Sequence, residues 1–399
     1  MTKKLVIVSL WLAAAGASSC RQESLPDLPA LIDSVRRQYV PDKRDDVYEI
    51  RLVRRDGKPP VLSGYTSVEA AKTALAEVMR RIDPEITDSV VVLPDASIGE
   101  SDRYGVINVS VADLRVNAGY DAEMATQLLL GAPVEVLQHR RWWRVRSAEN
   151  YVAWITGATF VRMDKNTFNE WTAAKKIIFT DDYGFAYEQP DVRRGRVSDL
   201  VFGNLLKWEG DNGRFFKASY PDGRKAYLLK SQCALWDDWR STVRLTEESI
   251  VRKALSLKGV PYSWGGTSTK MMDCSGFTKT VMLMHDVMLR RDASQQAQTG
   301  LPVDISDGYD RLRPGDLMFF GRKTADGREE RIRHVAIYTG NREFIHQDGF
   351  VHISSLDPDS PLYDKENARA FIRATRIIGA VNTEGVRETA QAPLYQQQP

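Results

Sequence analysis

Cysteine is scarce in this chain, with three in 399 residues. A small secreted fold stapled by disulfides is therefore excluded. Neither C-x-x-C nor H-x-x-x-H spacing occurs among those cysteines and the five histidines, so no metal is expected. A formal net charge of +2, with no basic tract interleaved by aromatics, removes the case for nucleic acid. Beyond the first twenty residues no apolar run is long enough to span a bilayer. What remains is 43% hydrophobic and 27% charged residues, the balance of a soluble globular chain long enough for two to four domains.

The N-terminus is read apart from the fold. Lys3 and Lys4 precede an apolar core from Leu5 to Ala17, and Ala17-Ser18-Ser19-Cys20 closes residues 1–20 as a secretory signal. Its end resembles a bacterial lipoprotein signal, which implies a lipid on Cys20, a membrane anchor and an exported, envelope location. Such signals usually carry leucine where Ala17 stands, and cleavage by ordinary signal peptidase is the alternative.

Residues 21–95 read as a mixed α/β segment. Leu28, Leu31, Ile32, Val35 and Tyr39 have helical spacing, and Thr66-x-x-Glu69 has the form of a capping box ahead of a second helix. Over 96–165 the period changes to two. Short strands at Leu114-Arg115-Val116, Pro133 to Leu137, Trp142 to Val145 and Tyr151 to Ile155 predict a small all-β barrel, with one of Trp142 and Trp143 inward and one exposed. A second such unit fits 166–245, on four strands near 176–179, 205–208, 215–218 and 225–229. Residues 246–380 read as helix, helix and antiparallel sheet, an α+β domain. The Gln-, Ala- and Pro-rich stretch 381–399 is expected to be a disordered tail.

The last domain carries the chemistry. Tyr262-Ser263-Trp264-Gly265-Gly266-Thr267 is a glycine turn, and Asp273-Cys274-Ser275-Gly276-Phe277 follows it. Phe277, Val281, Met284 and Met288 then recur on one helical face, so Cys274 is expected at a helix N-terminus, where the dipole lowers a thiol pKa. A cysteine nucleophile needs a base and a group that orients the base. A hairpin turning near 340–341 places His334 and His346 roughly opposite each other, which nominates Cys274 as nucleophile, His334 as base and His346 as orienter. Cys233 reads as a buried thiol without function.

These motifs, with Pro314-Gly315-Asp316-Leu317, His334-Val335-Ala336-Ile337-Tyr338 and Ile345-His346, resemble the NlpC-type cell-wall cysteine peptidases, a papain-like family. The two earlier units resemble bacterial SH3-like domains. Together the chain is similar to the YkfC-type γ-D-glutamyl-L-diamino-acid endopeptidases. The resemblance implies hydrolysis of peptidoglycan stem peptides between γ-D-glutamate and the diamino acid (diaminopimelate), with a free N-terminal L-alanine and no metal or organic cofactor. It implies that Tyr262 flanks the oxyanion region, that Trp264, Asp273 and Ser275 line the pocket, and that Asp292 helps hold the alanine amine. The family often has serine next to that acid, whereas here Ala293 intervenes before Ser294. It further implies that the first barrel closes the pocket with a glutamate, matched by Glu123, and an aromatic, matched by Trp154 with Tyr151 as the alternative. The enzyme is expected to be a monomer. Competing readings are a non-catalytic wall-binding lipoprotein and a thiol amidase or acyltransferase acting on another amide.

Overall fold

The computed structural model describes residues 27–324 and 330–398. The signal sequence and Cys20 lie outside the described residues. Among those described, no helix is long and apolar enough to cross a membrane.

Residues 27–95 form two helices, Leu28–Tyr39 and Glu69–Ile82, on a three-stranded sheet of Tyr48–Arg55, Lys58–Thr66 and Thr87–Val92. Val35, Ile50, Leu62, Leu75 and Met79 fill the space between them. The capping box does not form. Thr66 is the last residue of its strand, its hydroxyl accepts from the Val68 N–H at 3.1 Å, and the helix starts at Glu69 with Val68 as its uncapped N-terminal flank.

Two seven-stranded antiparallel barrels follow. The first runs from Tyr104–Ile107 to Phe160–Met163, and its core holds Leu114, Val134, Val136, Trp143, Val145 and Ile155. Both Trp142 and Trp143 are buried, contrary to the alternation expected. The loop before Met124–Leu129 folds back so that Tyr120 meets Trp142 edge-on, with ring centroids 4.9 Å apart. The second barrel adds Tyr183–Tyr187, Arg196–Val201 and Cys233–Leu235 to the four strands expected, and buries Cys233. The two barrels join edge to edge. Leu205 N donates to Leu130 O at 2.9 Å, and the Asn204 amide donates to Ser110 O at 2.8 Å.

The last domain packs helices Glu247–Ser256 and Cys274–Leu283 against a six-stranded antiparallel sheet. Its order is Leu301–Val303, Phe371–Arg376, Leu317–Lys323, Glu330–Gly340, Glu343–Asp348, Phe350–Ser355. Phe277, Val281, Leu317, Phe319, Val335, Ile337 and Ile345 make its core. The Cys274 helix is shorter than its periodicity suggested, and Met288 lies in the strand Val287–Leu289 instead.

That strand pairs with Val386–Glu388, so the stretch expected to be a disordered tail is ordered. Thr389 and Ala392 are buried, Tyr395 packs against Trp236, and Gln398 exchanges hydrogen bonds with Asn169. Composition there is polar, but a few apolar groups at the right spacing find a seam between domains.

Candidate active site

Cys274 is the first residue of its helix, and its neighbours fix that start. The Asp273 carboxylate accepts from the Gly276 N–H at 2.7 Å and from the Gly265 N–H at 2.9 Å, which ties the helix to the glycine turn. Two of the glycines are demanded by space. A Cβ on Gly276 would sit 1.9 Å from the Gly266 carbonyl oxygen. Gly265 has φ +80° and would drive a Cβ to 2.6 Å from the Met124 carbonyl of the first barrel. The turn therefore lies backbone against backbone on that barrel.

Beneath it, Arg291 is 1% exposed and reaches Asp273 at 2.5 Å, the Ser275 hydroxyl at 2.9 Å and Thr126 of the first barrel at 3.0 Å. Asp273 and Ser275 thus form the buried floor of the cleft. Arg291 was not singled out from sequence.

Opposite Cys274 stands the histidine hairpin, Glu330–Gly340 and Glu343–Asp348. Its turn is Asn341-Arg342, both at positive φ (52° and 64°), as a tight two-residue hairpin turn requires. The turn falls at Asn341-Arg342, later than expected, and the register shift between Tyr338 and Gly340 takes back one position, so His346 faces Ala336 and lies diagonal to His334, not opposite it. The two rings still share a face, and His334 Nε2 and His346 Nδ1 are 2.8 Å apart. His346 is fully buried, and its Nε2 meets the Ser354 hydroxyl at 3.0 Å. One assignment keeps a lone pair at His334 Nδ1 for the cysteine: His334 Nε2–H donates to His346, and His346 Nε2–H donates to Ser354. Ser354 is a fourth member the sequence reading missed.

Cys274 and His334 line the same cleft. The thiol pKa is not lowered as the helix end suggested. Burial pushes it up to about 12, the nearby Asp273 charge adds to the rise, and the backbone at Val335 and Ser275 opposes them only in part. Burial also lowers His334 to about 4, and His346 to about 3. The resting pair is therefore neutral thiol beside neutral imidazole. Tyr262 borders the cleft, and burial together with the nearby Cys274 and Asp273 holds its hydroxyl protonated, as a donor.

The other end of the cleft is built by three units. Trp264, 62% exposed, donates its indole N–H to Glu123 at 2.7 Å. Arg44, from the N-terminal unit, donates to Asp292 and to the Ser294 hydroxyl, each at 2.9 Å, and is held in turn by Asp42. Tyr151 lies 3.4 Å from Asp292 through its hydroxyl. Trp154 is not in the cleft. It faces the barrel's other side, 3% exposed under the Arg144 guanidinium at 4.5 Å, and Tyr151 takes the place expected of it. Arg44 could not be found from sequence, because 248 positions separate it from Asp292. Among the described residues no cluster of His, Cys, Asp or Glu is arranged to hold a metal ion. A sulfur, an oriented imidazole, a free helix N-terminus and a closed polar end suit acyl transfer from a short amine-bearing peptide.

Residues 259–370 match the NlpC/P60 family model, and residues 114–159 match that of the bacterial dipeptidyl-peptidase Sh3 domain. The γ-D-glutamyl-L-lysine dipeptidyl-peptidase of Bacillus subtilis is 33% identical over 267 residues, covering 64% of this chain and 82% of that protein. Dipeptidyl-peptidase 6 of Lysinibacillus sphaericus is 27% identical over 278 residues, 66% of this chain and 95% of that one. The crystal structure of an NlpC/P60 family protein from Bacillus cereus superposes with a TM-score of 0.57 at 22% identity, over 68% of this chain and 99% of its own, a likeness of fold.

Proposed function

The chain belongs to the NlpC/P60 family and is a cysteine peptidase, and from that premise we propose that it hydrolyses the bond between γ-D-glutamate and the diamino acid, diaminopimelate, in peptidoglycan stem peptides carrying a free N-terminal L-alanine. The observation that carries this reading is the closed end of the cleft. Glu123 and Trp264 join across it, and Asp292, Tyr151 and Arg44 stand behind. An ammonium fits between carboxylates there, while a longer chain beyond the amine meets a wall. Short turnover fragments are then better substrates than muramyl-linked wall.

Substrate contact brings the Cys274 proton to His334 Nδ1, and the sulfur attacks the γ-carbonyl carbon of D-glutamate. The oxyanion faces the Cys274 N–H, which has no intrahelical acceptor at the first helical position, and the Tyr262 hydroxyl. Imidazolium at His334 protonates the leaving amine, and water resolves the thioester with His334 as base. The His346–Ser354 chain holds the ring in the tautomer each step needs. We take the enzyme to act as a monomer. The N-terminal signal supports export, with a lipid on Cys20 as membrane anchor.

The test offers purified protein L-Ala-γ-D-Glu-diaminopimelate and its N-acetylated form, with diaminopimelate release followed by chromatography. Release from the free-amine peptide with at least about tenfold loss on acetylation is expected. A folded enzyme that releases nothing, or does not distinguish the two, contradicts the proposal.

A further inference from the structure

The cleft continues past His334 to charges the acyl half of the substrate does not need: Arg333, Asp364 and Glu366, with Asn367. Arg333 precedes His334 directly, and in a regular strand the two side chains point to opposite faces. Here both border the cleft. The pairing explains it: Phe320 faces His334 and the next residue, Gly321, faces Ile332, so Arg333 is the extra residue of a β-bulge. A bulge re-aims a side chain. The bulge is also built in, because a Cβ at Gly321 would lie 2.2 Å from the Arg331 carbonyl oxygen. Among the described residues no carboxylate comes within 4 Å of the Arg333 side chain. Both Arg333 and Asp364 lie close enough to His334 to act on its charge, in opposite senses.

The position along the cleft fixes which part of a substrate meets these groups. The amine end sits at Glu123 and Asp292, the scissile carbonyl at Cys274, and His334 delivers a proton to the leaving nitrogen. The leaving amino acid must therefore extend past His334 toward Arg333. The two chemical classes of diamino acid differ at their far end. Lysine ends in an ammonium alone. Diaminopimelate carries a carboxylate on the same terminal carbon.

We infer that Arg333 is a specificity-determining residue that binds the terminal carboxylate of the leaving diamino acid, with Asp364 and Glu366 facing the ammonium beside it. This inference rests on the reading of the site given above. A planar guanidinium pairs with a carboxylate through two parallel N–H donors, whereas a lysine side chain, lacking that carboxylate, leaves Arg333 unpaired beside a second cation. The enzyme accordingly prefers diaminopimelate peptides to lysine peptides.

The experiment measures kcat/KM on L-Ala-γ-D-Glu-diaminopimelate, the same peptide with the terminal carboxylate amidated, and L-Ala-γ-D-Glu-L-Lys. Wild type, Arg333→Ala and Arg333→Lys are compared, with circular dichroism confirming the fold. Wild type should favour the acid over the amide and over lysine by about tenfold or more. Arg333→Ala should lose that preference, falling about ten- to a hundredfold on the acid and by less than about threefold on the other two. Arg333→Lys should recover part of it. Equal loss on all three substrates would place Arg333 on a carboxylate they share and overturn the inference. So would an unchanged ratio, or a wild-type preference for lysine. Release of none of the three leaving groups by wild type would instead count against the site reading itself.

Discussion

Arg291→Met isolates what holds the nucleophile in place. The guanidinium is 1% exposed and reaches Asp273 twice, at 2.5 and 3.2 Å, besides Ser275 and Thr126. Methionine keeps much of the volume and removes the charge. Asp273 then retains the Gly265 and Gly276 N–H groups but becomes a buried anion without a cation. Removing one partner of a buried ion pair costs about 3–5 kcal/mol. Against a total stability of about 5–15 kcal/mol the variant should be folded yet visibly weakened. Asp273 also caps the Cys274 helix, so kcat should fall along with stability. The companion Asp273→Asn/Arg291→Met removes the stranded charge, and its loss should be smaller than the sum of the two single changes. Urea unfolding at pH 7 followed by tryptophan fluorescence, with kcat on the tripeptide, reads both effects. A loss below about 1 kcal/mol for Arg291→Met, or strict additivity in the double variant, would refute the reasoning.

Further outcomes follow from the same geometry. Tyr151→Phe should raise KM about three- to tenfold with kcat little changed, since only a hydrogen bond near Asp292 is lost, whereas Trp154→Phe should leave KM alone. Because burial depresses His334 to about 4, its base form persists in mild acid, so kcat/KM should hold below pH 6.5 and drop only as pH nears 4. The same depression costs stability in acid: an unfolded imidazole protonates near 6.5 and the folded one resists, so unfolding free energy should decline as pH falls from 6.5 through 4, and His346→Phe should flatten that decline. Removing residues 386–398 should lower the melting temperature by several degrees, because it uncovers Val287 and Leu289 and deletes buried Ala392 and the Tyr395–Trp236 contact. An unchanged melting curve would return that segment to the disordered class.

Local pattern carried the reactive half of the site. Cys274 opens a helix because Asp273 caps it and glycines precede it, and both histidines fall on one hairpin; all of this is written within short windows of sequence. The hairpin register was off by two residues, because the turn sits at Asn341-Arg342, two positive-φ residues that are not glycine, and the bulge at Thr339 recovers only one position of the offset. Long-range partners were beyond reach. Arg44, Arg291 and Ser354 act only through tertiary contacts, and nothing in their sequence neighbourhood marks them. The thiol pKa went astray for a related reason: the helix end favours a thiolate, but burial favours the neutral form more strongly, and burial is a property of the assembled cleft. Trp154 and Tyr151 both sit in one closing strand region, and alternation alone could not say which faced the peptidase. The chain's end misled by composition, since its few apolar residues find a ready seam.

The most direct test compares wild type with Cys274→Ala, Cys274→Ser and Cys233→Ala in the release of diaminopimelate from L-Ala-γ-D-Glu-diaminopimelate. Both Cys274 variants should lose at least about a thousandfold in kcat, while Cys233→Ala, whose thiol is buried in the second barrel, should keep wild-type turnover. Substantial hydrolysis by the Cys274→Ala protein would contradict the account at its centre.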